Sequence, residues 1–191
     1  MIILASQSPR RRELLTQLGV EFEVLSADID ETELAGESPT DLVVRLAVEK
    51  AKAVQAKTQT QLAVLGSDTV VVSPSGEAFG KPIDLADATR MLSQLSNATH
   101  SVFTAIAIVK AERVWTELVE TKVSFCQLTE NDIQAYWQSG EPQDKAGSYG
   151  IQGIGGKFVT SIEGNYSAVV GLPLYHTDQL LKQINENKDK S

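Results

Sequence analysis

Three adjacent arginines, Arg10-Arg11-Arg12, stand in an acidic chain directly behind Ser6-Gln7-Ser8-Pro9. Guanidinium groups bind phosphate oxygens through two parallel hydrogen bonds. Ser8 is suited to cap a helix that begins at Pro9 and continues through Leu14, Leu15 and Leu18. The free N–H groups and the positive dipole end of that helix then face the same place as the arginines, a setting for a strongly anionic ligand. A solvated helix start with ordinary surface charges is the alternative reading.

Lys50 and Asp68 stand where charge is costly. Val43, Leu46, Ala47 and Val54 mark an apolar helical stripe, and Lys50 falls on it, whereas Lys52 lies opposite. A lysine on an inner face either snorkels to water or meets an anion. Asp68 sits in Val64-Leu65-Gly66-Ser67-Asp68-Thr69-Val70-Val71-Val72, a run that reads as a buried strand. A carboxylate there needs a cation, a metal or strong donors, and Gly66 leaves room for a ligand or another backbone to come close. A structural aspartate capping a turn is the alternative. Asp28, Asp30 and Glu31 form a compact acidic group. With Asp68 they suit Mg²⁺ or Mn²⁺, a hard cation held by one or two carboxylates, phosphate oxygens and water. Lys81 in Gly80-Lys81-Pro82 and Lys145 in Asp144-Lys145-Ala146-Gly147 add isolated cations in tight loops. No P-loop and no Gly-x-Gly-x-x-Gly occurs. Scattered Arg and Lys facing carboxylates suit metal-assisted phosphoryl or nucleotidyl hydrolysis.

These residues need elements to hold them. The pattern predicts strands over Met1–Ala5, Glu21–Ser26, Leu62–Val72, Thr99–Val109, Val114–Phe125 and Lys157–Ile162. Helices are expected from Pro9 to Leu18, from Ser38 to about Ala56, from Leu85 to Leu95, over Thr129–Gln138 and over Pro173–Asn185. Ser73-Pro74-Ser75-Gly76 turns a strand back, and Gly140 to Gly156, with six glycines, reads as a functional loop. Residues 187–191 are expected to fray. The mixture lacks strict βαβ repetition and carries a long central hairpin, so a mixed sheet, α/β or α+β, is expected, with a cleft between two lobes. The 191 residues are read as one domain, 1–191.

Composition narrows the function. With 17 Lys+Arg against 25 Asp+Glu the net charge is −8, which argues against nonspecific nucleic-acid or acidic-membrane binding but leaves a small phosphate ligand open. The single cysteine, Cys126, fits a reducing compartment. His100 and His176 have no partner at metal-ligand spacing, so zinc is not expected. No signal peptide and no transmembrane stretch is expected.

Five segments in order resemble the Maf family of nucleoside triphosphate pyrophosphatases over nearly the whole chain. Ser6-Gln7-Ser8-Pro9-Arg10-Arg11 is similar to its opening phosphate loop, and Leu46-Ala47-Val48-Glu49-Lys50-Ala51 to its helical lysine motif. Gly66-Ser67-Asp68-Thr69-Val70 resembles its catalytic strand, and Gly80-Lys81-Pro82 its second lysine. The stretch Asp144 to Gly153 resembles its long C-terminal loop. The resemblance implies an elongated mixed sheet with flanking helices and a central cleft, as in inosine triphosphatases. It also implies hydrolysis of the α–β phosphoanhydride bond, a divalent cation, a cytoplasmic location and a homodimer. Arg11, Thr69 and Gln152 are similar to the branch preferring dTTP and UTP. On this reading Asp68 is the general base and holds the metal with Asp30 and Glu31 or Asp28. Arg11, Lys50 and Lys81 hold the triphosphate, Ser6, Ser8, Arg10 and Lys145 contribute to substrate binding, and Gln152 reads the pyrimidine beside Thr69. The rival reading is a nucleotide-binding regulator linked to septum formation. Asp68 speaks against it, since a pure binder gains nothing from a carboxylate among phosphate-binding cations.

Overall fold

The computed structural model describes residues 1–186, so the expected fraying of residues 187–191 lies outside the described residues. Three buried apolar residues, Ile2–Leu4, form β1, which pairs in parallel with β2 (Phe22–Val24) and β3 (Val64–Val72). Parallel partners need crossover connections. These are α1 (Pro9–Gln17) and α2 (Pro39–Thr58). Both open as the sequence predicts. Ser8 and Ser38 cap them through the N–H groups of Arg11 and Asp41, and Pro9 and Pro39 sit where a missing N–H costs nothing.

β3 turns back antiparallel into β4 (Ala78–Phe79), and α3 (Leu85–Leu95) follows, capped by Asp84. The long strands β5 (Thr99–Lys110) and β6 (Arg113–Phe125) are joined by Ala111-Glu112. After α4 (Glu130–Gln138), with its Thr129–Asp132 capping box, β7 (Val159–Glu163) pairs antiparallel with β6. The strand order is β2-β1-β3-β5-β6-β7, with β4 beside β3. Two more helices follow, the short α5 (Tyr166–Val170) and α6 (Leu174–Glu186). Helix α5 was not expected. It spans barely more than one turn and follows Asn165, whose side-chain oxygen accepts from the Ala168 N–H and the Ser167 hydroxyl. That is too short for a periodic signal. The glycine-rich loop is not featureless either, since it folds into three 3-10 turns, Glu141–Asp144, Ala146–Ser148 and Ile154–Phe158.

The chain divides into two compact units. The first takes Met1–Asp68, Thr104–Val119 and the segment from Gly171 onward. Its core joins Ile3, Ala5, Ala51, Val54, Val64 and Val109. The second takes Thr69–Phe103 and Glu120–Val170. Its core sets aromatic rings among aliphatic side chains such as Leu92, Val123 and Ile133: Phe125 meets Tyr149 edge-on at 4.8 Å, and Tyr136 meets Phe158 at 5.0 Å. His100 is buried in it and shares a 2.9 Å hydrogen bond with the Tyr149 hydroxyl. Burial lowers its pKa to about 4, so this histidine is neutral at ordinary pH. Among the described residues no helix is long and apolar enough to cross a membrane.

Candidate active site

In the first unit, Lys50 is the hub. It is 7% exposed, one face of α2 presenting it among Val43, Leu46, Ala47 and Val54, while Lys52 on the far side is exposed. Its ammonium donates to Asp68 Oδ1 at 2.6 Å and lies 2.8 Å from Glu31 Oε1. The inner-face lysine therefore meets anions rather than snorkelling to water, and the strand aspartate has its cation. Gly66 makes the meeting geometrically feasible. A Cβ built there would lie 2.1 Å from the Ala47 carbonyl oxygen and 3.0 Å from the Ala51 nitrogen. Of the two readings of its open space, the close approach of another backbone, α2, is the one realised.

Arg11 stands beside this cluster. Its Nε donates to the Gly171 carbonyl at 2.9 Å, and Nη1 lies 3.4 Å from the Ser6 hydroxyl, which also accepts from the Ser8 N–H at 3.2 Å. Burial lowers the Arg11 pKa, opposed by the charges of Asp68 and Glu31 and assisted by that of Arg10. Arg10 is half-buried and Arg12 exposed. The buried Ser67 hydroxyl donates to the same Gly171 carbonyl at 3.0 Å. Gly171 is thus a shared acceptor that sequence reasoning missed. Its φ of 123° is the only local signal, and that is visible only in the backbone.

The acidic loop behind Glu31 is clamped onto α2 by Arg45. Its guanidinium forks onto Glu37 at 2.6 and 2.7 Å, donates to the Thr32 carbonyl at 3.1 Å and reaches Glu49 at 3.1 Å. The acidic residues separate in this loop. Glu31 reaches Lys50, whereas Asp30 Oδ1 turns back to accept from the N–H and hydroxyl of Thr32, and Asp28 is exposed. Among the described residues, no three His, Cys, Asp or Glu side chains group as a metal site, so the expected set Asp68, Asp30 and Glu31 does not converge. The Asp30 oxygen is committed to a local turn that a one-residue linker to Thr32 favours.

In the second unit, Lys81 is exposed, and its loop is held where the Gly147 N–H donates to the Gly80 carbonyl at 3.0 Å. Lys145 is tied into its own turn, donating to the Glu141 carbonyl at 2.9 Å and to Asp144 at 2.6 Å. Gln152 is exposed at a turn following Ile151, and Thr69 is half-buried in β3.

The family described as Maf-like protein matches residues 1–184. The chain belongs to the Maf family. A dTTP/UTP pyrophosphatase of Pseudoalteromonas atlantica (strain T6c / ATCC BAA-1087) is 58% identical over 189 residues, covering 97% of each chain. Another, of Vibrio vulnificus (strain YJ016), is 55% identical over 183 residues, covering 96% of this chain and 98% of its own. Among solved structures, a nucleoside-triphosphatase (dITP/XTP pyrophosphatase) of Mycobacterium abscessus aligns with a TM-score of 0.47 at 19% identity, covering 66% of this chain and 75% of that one.

In this Maf chain, two of the expected carboxylates fit a divalent cation. Asp68 and Glu31 already share one cationic partner, and a hard cation takes such oxygens with phosphate oxygens and water filling its other positions. Asp30 instead turns one carboxylate oxygen, Oδ1, to the N–H and hydroxyl of Thr32. The Arg45 clamp gives the first prediction. Hydrogen bonding by Arg45 is the main cause that lowers the Glu37 pKa to about 2. The folded value lies below the ordinary one, so the stabilisation is complete above the ordinary carboxylate range and is lost as pH falls toward about 2. Carboxyl NMR of Arg45→Ala is expected to show Glu37 titrating near the ordinary 4.5, with faster amide exchange across residues 30–37. An unmoved Glu37 would show that Arg45 does not hold the loop.

Proposed function

We propose that this Maf chain hydrolyses dTTP and UTP to the nucleoside monophosphate and pyrophosphate, with Asp68 as general base and a divalent cation assisting. The observation that carries the reading is the buried Lys50 ammonium bridging Asp68 and Glu31 beside Arg11 and Ser6. Carboxylates meet cations there at the N-terminus of α1, a setting for phosphate oxygens. The names of the relatives support the substrate class: nucleoside triphosphate pyrophosphatase activity is common to them.

In the proposed reaction, a water oxygen bonds to the α-phosphorus while the bond from that phosphorus to the oxygen shared with the β-phosphate breaks. The water proton passes to an Asp68 carboxylate oxygen, and the electron pair of the broken bond leaves on pyrophosphate. Arg11 and Lys50 offset charge growing on the leaving group, where fixed cations in a partly dry site act most strongly. Lys50 can serve two anions in turn, since it already contacts two carboxylates. Ser6, Ser8 and the α1 N–H groups hold phosphate oxygens. A divalent cation held by Asp68 and Glu31 supplies further charge neutralisation when bound. We assign Lys81, Arg10 and Lys145 to the triphosphate, and Gln152 and Thr69 to the base, where an amide can both donate and accept. The same reading makes the protein a single catalytic domain and a cytoplasmic homodimer.

Pyrophosphate release from dTTP, UTP, CTP, ATP, GTP and methylated GTP, with Mg²⁺ or Mn²⁺ and then with EDTA, tests it. Release confined to dTTP and UTP and abolished by EDTA is expected. Binding of these nucleotides without release would replace the hydrolase with a regulator, and EDTA-resistant release would remove the cation from the mechanism.

A further inference from the structure

Glu141 does what no motif suggested. Its carboxylate lies within the second unit and accepts three hydrogen bonds from one loop and its support. Oε1 takes the Tyr136 hydroxyl at 2.7 Å and the Gly155 N–H at 3.0 Å, and Oε2 takes the Ile154 N–H at 2.8 Å. The Tyr136 hydroxyl in turn accepts from the Gly150 N–H at 3.0 Å. Tyr136 itself is 1% exposed, held in the aromatic core on α4. Both ends of the segment Gly150–Gly155, and therefore the turn that carries Gln152, are bolted to one tyrosine–glutamate pair. The glycines match this support. A Cβ on Gly153 would lie 2.2 Å from Glu141 Oε2, and one on Gly155 would lie 2.5 Å from the Tyr136 hydroxyl. The loop can lie directly on the pair only without those side chains.

We propose that Glu141, seated on Tyr136, is the positioning residue that sets base selectivity by fixing the turn bearing Gln152. The proposal rests on the reading of Gln152 as the base-reading residue. Glu141 touches no reacting atom; it acts through the backbone of residues 150–155. Every group aimed at its oxygens is a donor, so an amide in its place turns an NH₂ toward an N–H or a hydroxyl. Such a loss costs one charge-assisted hydrogen bond and leaves a donor facing a donor.

The test compares Glu141→Gln, Tyr136→Phe, Gln152→Ala and the double variant Glu141→Gln/Gln152→Ala, reading kcat/KM for UTP against CTP and ATP. Glu141→Gln is expected to lower the UTP preference by about tenfold or more, mainly through KM for UTP. Tyr136→Phe keeps the ring packing and removes only the hydroxyl, and should shift the preference the same way by less. It carries the test alone if Glu141→Gln does not fold. The double variant should lose no more preference than Gln152→Ala. A merely structural role predicts otherwise: kcat falling equally on all nucleotides with the preference intact, which would overturn the proposal. If Gln152→Ala leaves the preference unchanged while Glu141→Gln destroys it, the positioning role stands and the base contact belongs to another residue of the loop. If Gln152→Ala destroys it and neither Glu141→Gln nor Tyr136→Phe alters it, the positioning role is lost and the Gln152 reading survives.

Discussion

Asp68→Asn is expected to reduce kcat for UTP about a thousandfold, within the range that a positioned general base contributes. The asparagine is nearly the same size and keeps a side-chain oxygen for the Lys50 ammonium, which now donates to Asp68 at 2.6 Å. On the proposed mechanism, what it loses is the ability to take the water proton, together with the negative charge that would help hold a cation. Binding should change far less, because Arg11, Ser6 and Lys50 remain. Calorimetry with a nonhydrolysable UTP analogue is expected to give a Kd within about threefold of the parent value, well under the 1.4 kcal/mol that a tenfold change represents. A variant retaining the parent kcat would remove Asp68 as the base. A variant losing kcat and analogue binding alike would make it a ligand-holding group instead.

The second large effect lies at a residue with no side chain. Gly66→Ala adds one methyl group where the Ala47 carbonyl oxygen would be 2.1 Å away, a contact on helix backbone rather than on a yielding side chain. Either α2 withdraws from β3 or the strand bends. Overpacking a tight core costs about 1–3 kcal/mol, and backbone on both sides puts this case at the upper end. Withdrawal also parts Lys50 from Asp68, since the two residues are carried by the displaced elements. The expected result is a protein with a lower Tm and a kcat reduced beyond what its folded fraction explains. Denaturant unfolding with parallel kinetics checks this. Unchanged Tm and kcat would mean that α2 does not need its close approach to the strand.

These two residues mark how far the sequence can be read. Asp68 and Lys50 were visible because each breaks a pattern, one inside an apolar strand and one on an apolar helical stripe. The starts of α1 and α2 followed from their Ser-Pro pairs, and the expected bounds of α1, α2 and α3 agree with the structure to within about two residues. Glu141 and Tyr136 were invisible because nothing near them in sequence is out of place. Their importance comes from donors that arrive from residues 150–155, across a loop. Asp30 and Glu31 show the opposite failure. Adjacent carboxylates look equivalent in sequence, yet one closes a turn on Thr32 and the other reaches Lys50. Side-chain direction within an irregular loop has no period from which to read it.

The shared acceptor at Gly171 carries a consequence for protein synthesis. Arg11 and Ser67 emerge from the ribosome early, but the carbonyl that orders both belongs to a residue made more than a hundred positions after Ser67. Arg11 therefore gains this acceptor only after residue 171 has been made. A nascent chain halted before residue 171 carries Lys50, Asp68 and Glu31 without the carbonyl that accepts from Arg11 and Ser67.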